Sequence, residues 1–140
     1  MNLLSCMPDL HCRALPAPLL PLVDEFYRAH RSPMRADRRA QVWVAQHTEI
    51  VAALCLRPLA QGYWLSGLFV APSQRRQGLA RQLIEQALAP ASEPVWLFCD
   101  PELHSFYENL GFLPCTSLPT ALAERLSRYR RKKNLIALCR

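Results

Sequence analysis

The sequence lacks any apolar run long enough to cross a membrane. A membrane helix needs roughly 18 consecutive apolar residues, and none of the 140 residues begins such a run. The N-terminus also lacks the basic segment and apolar core that mark a signal peptide. We therefore expect a cytoplasmic protein with no membrane partner.

Paired metal ligands are also missing. None of the cysteines forms a C-x-x-C pair, and the histidines are scattered, so no zinc spacing occurs. Cysteine inside an apolar run is usually a small buried hydrophobe. We accordingly expect no metal cofactor, and a structural role for Cys55, Cys99 and Cys139, which lie inside apolar runs. The other three cysteines are Cys6, Cys12 and Cys115.

Glycine-rich phosphate loops are the third absence. The chain has 4 glycines. They form neither the Walker A pattern G-x-x-x-x-G-K-[ST] nor the dinucleotide pattern G-x-G-x-x-G. The sequence therefore indicates neither a P-loop nucleotide-binding site nor a Rossmann-type dinucleotide-binding site.

Acidic residues are fewer than basic residues, 11 against 17, which gives a net charge of +6 at pH 7. The cations concentrate in residues 28–39 and 128–133, with Arg75 and Arg76 between them. Basic patches favour polyanions such as nucleic acid or a phosphorylated cofactor. A solvated helix end also explains the second run, because cations there complement the helix dipole.

Length and hydrophobic periodicity predict one domain of the α/β class with a mixed, mostly antiparallel sheet of six or seven strands. The strand–helix–strand order around residues 63–99 predicts parallel pairing between 63–70 and 95–99. Strands are predicted at 10–15, 40–47, 50–56, 63–70, 95–99, 112–115 and 134–139, and helices at 19–30, 78–89, 104–110 and 119–131. The expected apolar faces are Leu19, Leu22, Val23, Phe26 and Tyr27 in the first helix and Leu122, Leu126 and Tyr129 in the last.

The most informative segment is the turn at 70–80, between a predicted strand and a predicted helix. It contains Arg75, Arg76 and Gly78. The first four amides of a helix have no internal partner, and the helix dipole favours an anion there. Glycine lets the backbone approach a phosphate closely, and arginine adds charge-assisted donors. The turn therefore predicts binding of a phosphorylated molecule.

Two motifs resemble the GNAT superfamily of N-acetyltransferases. Arg75-x-x-Gly78-x-Ala80 is similar to the acetyl-CoA-binding pattern Q/R-x-x-G-x-G/A of that family. The segment 106–112, Phe-Tyr-Glu-Asn-Leu-Gly-Phe, resembles its F-Y-x-x-L-G-F segment. The order and spacing of the two motifs agree with the family, and the resemblance extends from about Ala40 to the end of the chain.

The resemblance implies one N-acetyltransferase domain over residues 1–140, with helices on both faces of the sheet. It implies acetyl transfer from acetyl-CoA to a primary amine of a small molecule or peptide, by direct attack in a ternary complex. The parallel strand pair would be splayed at the cofactor site. Backbone amides of Leu68, Phe69 and Val70 would bind the pantetheine arm and the oxyanion. Phosphate contacts would come from Arg75, Arg76, Gln77, Gly78, Leu79 and Ala80.

Tyr107 matches the tyrosine that many family members use as a general acid toward the thiolate. Core packing or cofactor contact is the alternative role. Many relatives place a glutamate base in or near the strand at 63–70, but this strand has no carboxylate. The remaining candidates are Asp100, Glu25, His104 or a chain of waters. Asp100 stands where many relatives carry an asparagine that contacts the cofactor, and an N-cap role is its alternative.

Acceptor specificity is expected from residues 31–39 and 117–133, with Trp64 as a further candidate for the acceptor cleft. The positive charge of these segments favours acceptors that bear a carboxylate or phosphate over polyamines. Two other functions are a catalytically inactive CoA-binding regulatory module and a basic nucleic-acid-binding protein that uses 128–133, with Tyr129 interleaved. Both a monomer and a homodimer are compatible with the sequence.

Overall fold

The computed structural model describes residues 10–140, so Cys6 lies outside the described part of the chain. Residues 10–140 form seven strands and four α-helices. The strands are β1 (His11–Ala14), β2 (Gln41–Gln46), β3 (Ile50–Pro58), β4 (Tyr63–Val70), β5 (Val95–Cys99), β6 (Leu113–Pro114) and β7 (Ile136–Cys139). The helices are α1 (Leu20–Ala29), α2 (Leu79–Leu88), α3 (His104–Glu108) and α4 (Thr120–Tyr129).

All seven strands join one mixed sheet. β1 to β4 run antiparallel, each beside the next. The crossover through α2 brings β5 parallel to β4, with Tyr63 opposite Val95 and Trp64 opposite Trp96. β7 then lies between β5 and β6, so the strand order is β1-β2-β3-β4-β5-β7-β6. The predicted sheet, mostly antiparallel with one parallel pair, is confirmed.

Alternate residues of β3 belong to different cores, because successive side chains of a strand point to opposite faces. Ala53 and Cys55 pack in a cluster with α1, whereas Leu54 and Leu56 pack in a cluster with α2. Helices therefore cover both faces of the sheet, as predicted. Within residues 10–140, no helix has both the length and the apolar character needed to cross a membrane.

Three residues expected on buried helix faces lie at the surface, so their prediction was wrong. Leu19 and Leu22 are 37% and 44% exposed. A 3-10 turn over Ala17–Leu19 precedes α1, so the helix itself and its buried face begin at Leu20. Tyr129, the last residue of α4, is 42% exposed, because it borders an open cavity and not the closed core.

β4 and β5 separate after Trp64. A β-bulge places Gly67 and Leu68 of β4 opposite the single residue Leu54 of β3. Gly67 takes a left-handed φ of 67° at this bulge. On its opposite edge β5 pairs with β7 from Trp96 to Cys99, but its edge toward β4 has no ladder partner after Trp96. A wedge-shaped gap therefore opens between the carboxyl ends of the two parallel strands.

Candidate active site

The gap between β4 and β5 contains two cavities that share the lining residues Leu68, Leu103 and Tyr107. The turn cavity, of about 580 Å³, is lined by Leu68, Phe69, Val70, Gln74, Arg75, Arg76, Gly78, Ala80, Arg81, Leu103, Phe106 and Tyr107. The wedge cavity has a volume of about 480 Å³. Its walls are Met34, Arg35, Trp64, Leu65, Ser66, Gly67, Leu68, Leu97, Phe98, Cys99, Asp100, Leu103, Tyr107, Tyr129, Lys133 and Leu135.

The amino end of α2 borders the turn cavity. Gly78 is the N-cap residue, with a left-handed φ of 77°, and no side chain caps the helix. The amide of Gln82 donates to the Gly78 carbonyl at 3.0 Å and closes the first turn of the helix. Amides earlier in that turn have no acceptor in the helix itself. They remain available to a ligand in the cavity.

Left-handed backbone at two positions shapes this turn. Arg76 has a φ of 65°, which is uncommon for a residue other than glycine. A Cβ on Gly78 would meet no atom within 4 Å, so open space adjoins the glycine. Seven of the nine predicted cofactor-binding residues line the turn cavity, and the other two do not. Gln77 is exposed, and the Leu79 side chain is buried in the core, so only its backbone faces the turn.

Arg75 is held against the end of β4. Its Nε donates to the Val70 carbonyl at 2.9 Å. Its guanidinium carbon lies 5.2 Å from the centroid of the Phe69 ring, within the range of a cation–π contact. Arg75 therefore connects the turn to the end of β4, and the Arg76 side chain is exposed at the same turn.

A contact from α1 supports the bulge of β4, and sequence reasoning missed it. The buried hydroxyl of Tyr27 donates to the Gly67 carbonyl at 2.6 Å. Burial raises the pKa of Tyr27, so the hydroxyl stays protonated and can donate this hydrogen bond. The Gly67 carbonyl and the Leu68 amide belong to one planar trans peptide and point in opposite directions. The Leu68 N–H is therefore directed away from α1.

Tyr107 lies where the two cavities meet. Its ring packs at steep angles against Phe106 and Phe112, with centroids 5.0 and 5.8 Å away. The side chain is only 5% exposed, and burial raises the pKa of Tyr107. The hydroxyl is therefore protonated at neutral pH. Tyr107 combines a packing role with a place in the walls of both cavities.

Asp100 follows β5 and lines the wedge cavity. One carboxylate oxygen accepts the Glu102 amide at 2.8 Å, which caps the 3-10 turn over Pro101–Leu103. Glu25 and His104, two other candidate bases, line neither cavity. Among the described residues, Asp100 is the carboxylate that the fold brings to the wedge cavity.

The walls of the wedge cavity are aromatic, and most of its charges are positive. Phe98 lies between Trp64 and Tyr129, with ring centroids 6.0 and 6.2 Å away. Arg35 and Lys133 contribute the cations. Arg35 belongs to residues 31–39, between α1 and β2, and Lys133 ends the segment 117–133, which includes α4. The sequence associates both segments with acceptor specificity.

Further guanidinium groups lie against Trp64. Arg125 is 4.3 Å and Arg57 is 5.8 Å from the ring centroid. Arg57 forms an ion pair with Asp37, with Nε and Oδ2 2.6 Å apart. Burial opposes ionisation of Asp37, but the Arg57 hydrogen bond and the Arg39 amide hold the pKa of Asp37 below its usual value. Asp37 therefore offsets the charge of Arg57, whereas Arg125 adds positive potential near the wedge cavity.

A family model described as the acetyltransferase (GNAT) domain matches residues 38–114, more than half of the chain. No curated protein matches the sequence. Solved structures resemble this one. N-acetylglutamate synthase from Neisseria gonorrhoeae, complexed with coenzyme A and N-acetyl-glutamate, is 15% identical with a TM-score of 0.73; the alignment covers 96% of this chain and 35% of the synthase. An acyl-CoA N-acyltransferase from Pseudomonas aeruginosa is 22% identical with a TM-score of 0.65, covering 96% of this chain and 99% of that one.

Naa50 from Arabidopsis thaliana, in complex with the bisubstrate analogue CoA-Ac-MVNAL, is 11% identical with a TM-score of 0.67. The alignment covers 94% of this chain and 97% of Naa50. At these identities the likeness concerns the fold. The chain spans about a third of the length of the synthase, and nearly the full length of the other two proteins.

Proposed function

The chain belongs to the GNAT acetyltransferase family, and we propose that it transfers an acetyl group from acetyl-CoA to a primary amine of a small molecule or peptide. The observation that carries this proposal is the pair of cavities that share Tyr107. One cavity suits a phosphorylated cofactor, and the other has room for an amine. We assign the activity to a single domain over residues 1–140.

The turn cavity fits coenzyme A by its chemistry. The free amides of the first turn of α2 and the cation Arg76 suit the diphosphate group. Leu68, Phe69 and Val70 line the same cavity and would extend along the pantetheine arm. The synthase and Naa50 structures contain coenzyme A or an analogue built on it, which supports the same cosubstrate here.

The wedge cavity is the proposed acceptor site. The synthase structure contains an acetylated amino acid and the Naa50 structure an acetylated peptide analogue, so both kinds of amine occur in proteins of this fold. The cavity adjoins Leu68 and Tyr107, the residues nearest to the thioester in this proposal. Its volume of about 480 Å³ suits a small molecule or the first residue of a peptide.

The reaction requires one proton to move from nitrogen to sulfur. The neutral amine nitrogen attacks the thioester carbonyl carbon, a C–N bond forms and the C–S bond breaks. We assign the Leu68 amide to the developing oxyanion, since such donors stabilise charge that appears in the transition state. The Tyr107 hydroxyl gives its proton to the departing thiolate, and Asp100 accepts the proton released by the amine.

A thermal-shift measurement tests the cofactor assignment. Acetyl-CoA at about one hundred times its Kd should stabilise the native protein by about 2.7 kcal/mol, whereas NAD and ATP should not. Gly78→Glu should abolish the shift, because a carboxylate would occupy the anion site. Gly78→Gln imposes the same backbone strain without the charge, and should keep a larger shift than Gly78→Glu.

Release of the CoA thiol with a panel of amines then tests catalysis. Thiol release with at least one amine supports acetyl transfer. A protein that binds acetyl-CoA but releases no thiol with any amine would instead be the inactive CoA-binding module. Equal stabilisation by acetyl-CoA, NAD and ATP, or none by acetyl-CoA, would contradict the cofactor assignment.

A further inference from the structure

The wedge cavity is positively charged, although an alkyl amine is itself a cation at neutral pH. Arg35 and Lys133 line the cavity, and the Arg125 guanidinium lies against the Trp64 ring. An amine with the pKa of a lysine side chain, about 10.4, is almost wholly protonated at pH 7. A simple alkylammonium ion or a polyamine would therefore enter the cavity against like charges.

Arg35 and Lys133 are free to bind an anion. The three ion pairs within residues 10–140 involve other cations. Asp24 lies close enough to Arg35 to respond to its charge, but its direct partner is Arg38, 2.8 Å away. Arg35 and Lys133 thus line one cavity from distant parts of the chain, and neither forms an ion pair within residues 10–140.

We propose that the acceptor is a free α-amino acid with a large apolar side chain, bound through its carboxylate by Arg35 and Lys133. This proposal rests on the acetyl transfer proposed above and specifies the substrate class of the same site. The carboxylate offsets the positive lining of the cavity, and the apolar side chain packs on the wall formed by Trp64, Phe98 and Tyr129. Arginine and lysine are the usual partners of a carboxylate, through charge-assisted hydrogen bonds.

The same cations favour the chemistry of the amine. Pairing with Arg35 and Lys133 offsets the stabilisation that the carboxylate gives to its own ammonium group, so it promotes the loss of a proton to solvent before attack. Asp100 is the negatively charged residue of the cavity lining, and it attracts the ammonium group of the acceptor. The titratable and charged groups that line the cavity are Arg35, Cys99, Asp100, Tyr107, Tyr129 and Lys133.

Matched acceptors test the substrate class. L-Phenylalanine, L-phenylalaninamide and 2-phenylethylamine share a ring and an amine but differ at the carboxylate, and spermidine represents the polycations. We expect kcat/KM, measured by CoA thiol release, to be about tenfold higher for phenylalanine than for its amide. Loss of the carboxylate charge lowers the pKa of the adjacent ammonium, so the amide holds more neutral amine. A preference for the acid therefore cannot arise from amine protonation.

Charge-removing variants locate the anion site. Lys133→Met and Arg35→Met should each raise KM for phenylalanine about tenfold and leave KM for the amide within about twofold. Lys132→Met and Arg39→Met remove the same charge from exposed residues outside the cavity lining, and should change neither value. Equal effects in cavity and control variants would show a long-range charge effect and overturn the assignment of Arg35 and Lys133.

A binding measurement separates this proposal from the proposed function. In the presence of CoA, N-acetyl-L-phenylalanine should raise the melting temperature more than N-acetyl-L-phenylalaninamide does. A larger shift with the amide, or a kcat/KM highest for spermidine or phenylethylamine, would overturn the substrate class. Acetyl transfer to those other amines would leave the proposed function intact, whereas the absence of thiol release from every amine would overturn both.

Discussion

The hydroxyl of Tyr27 in α1 lies 2.6 Å from the Gly67 carbonyl in the bulge of β4 and donates a hydrogen bond to it. This bond connects a helix on one face of the sheet to the peptide that ends in the Leu68 amide. Because that peptide is planar, the direction of the Leu68 N–H depends on the position of the Tyr27 hydroxyl. Tyr27 is therefore a positioning residue for the proposed oxyanion donor.

Tyr27→Phe should lower kcat roughly tenfold, because the Leu68 amide loses its fixed direction. The lost hydrogen bond should cost about 1 kcal/mol of unfolding free energy. KM for acetyl-CoA should stay within about twofold of its native value, since the turn at Gly78 is unaffected. Steady-state kinetics and urea unfolding provide the measurements.

Tyr63→Phe is the matched control for Tyr27→Phe. It removes a hydroxyl from the opposite end of β4, away from the bulge and both cavities. Its kcat should equal that of the native protein. A kcat in Tyr27→Phe that is also native, despite the lower stability, would show that the bond has only a structural role.

Tyr107→Phe should lower kcat by roughly 100-fold, the effect of losing a general acid. The ring contacts with Phe106 and Phe112 remain, so acetyl-CoA binding and the melting temperature should change little. Because burial raises the pKa of Tyr107, the native kcat should not decline on the alkaline side until above the ordinary tyrosine pKa of about 10. Native kcat in the variant would leave Tyr107 with packing alone.

Asp100→Asn and Asp100→Ala separate catalysis from helix capping. Asparagine caps a helix as well as aspartate does, so Asp100→Asn should keep native stability, whereas Asp100→Ala should lose about 1 kcal/mol. In both variants kcat should fall roughly 100-fold, because the proposed acceptor of the amine proton is missing. An Asp100→Asn protein with full activity would restrict Asp100 to its bond with the Glu102 amide.

Asp37→Asn should destabilise the fold by about 1–2 kcal/mol at pH 7, because the Arg57 guanidinium loses its charged partner. The folded pKa of Asp37 lies below the unfolded value of about 3.9, so its contribution is complete above that pH and is lost as pH falls toward the folded pKa. The stability difference between native protein and variant should therefore shrink below about pH 4.

Urea unfolding between pH 7 and pH 3 measures this difference. Glu85→Gln is the control, since its side chain is 55% exposed and its pairing with Arg81 spans 3.3 Å. Exposed pairs contribute little, so this variant should track the native protein at every pH. A difference for Asp37→Asn that stays constant down to pH 3 would contradict the assigned ion pair.

The regular elements could be predicted because their signals are local. The strands at 63–70 and 95–99 appear with the same bounds in the structure, since each is a short apolar run bounded by turn residues. The strand–helix–strand order also determined the parallel pair. The position of β7 between β5 and β6 depends on pairing across the whole sheet, and the sequence contains no local signal for it.

The residues of the turn that we propose to bind phosphate could likewise be predicted from the sequence. A glycine at a helix start and two neighbouring arginines predict an anion site through the chemistry of one short segment, and the fold brings seven of the nine predicted residues to one cavity. The side-chain contacts of that segment were not accessible. Arg75 bonds to the Val70 carbonyl, an arrangement that depends on how the turn folds back on β4.

Two short motifs in the sequence thus indicated the family by resemblance. Hydrophobic periodicity predicted the order of the elements along the chain, and residues adjacent in the chain predicted the candidate anion-binding turn. Only the tertiary structure decided which residues meet at the splayed strands. Tyr27 reaches Gly67 across 40 positions, and Arg35 and Lys133 line one cavity from distant parts of the chain. Such contacts arise from the packing of helices and loops on the sheet, which no local pattern specifies.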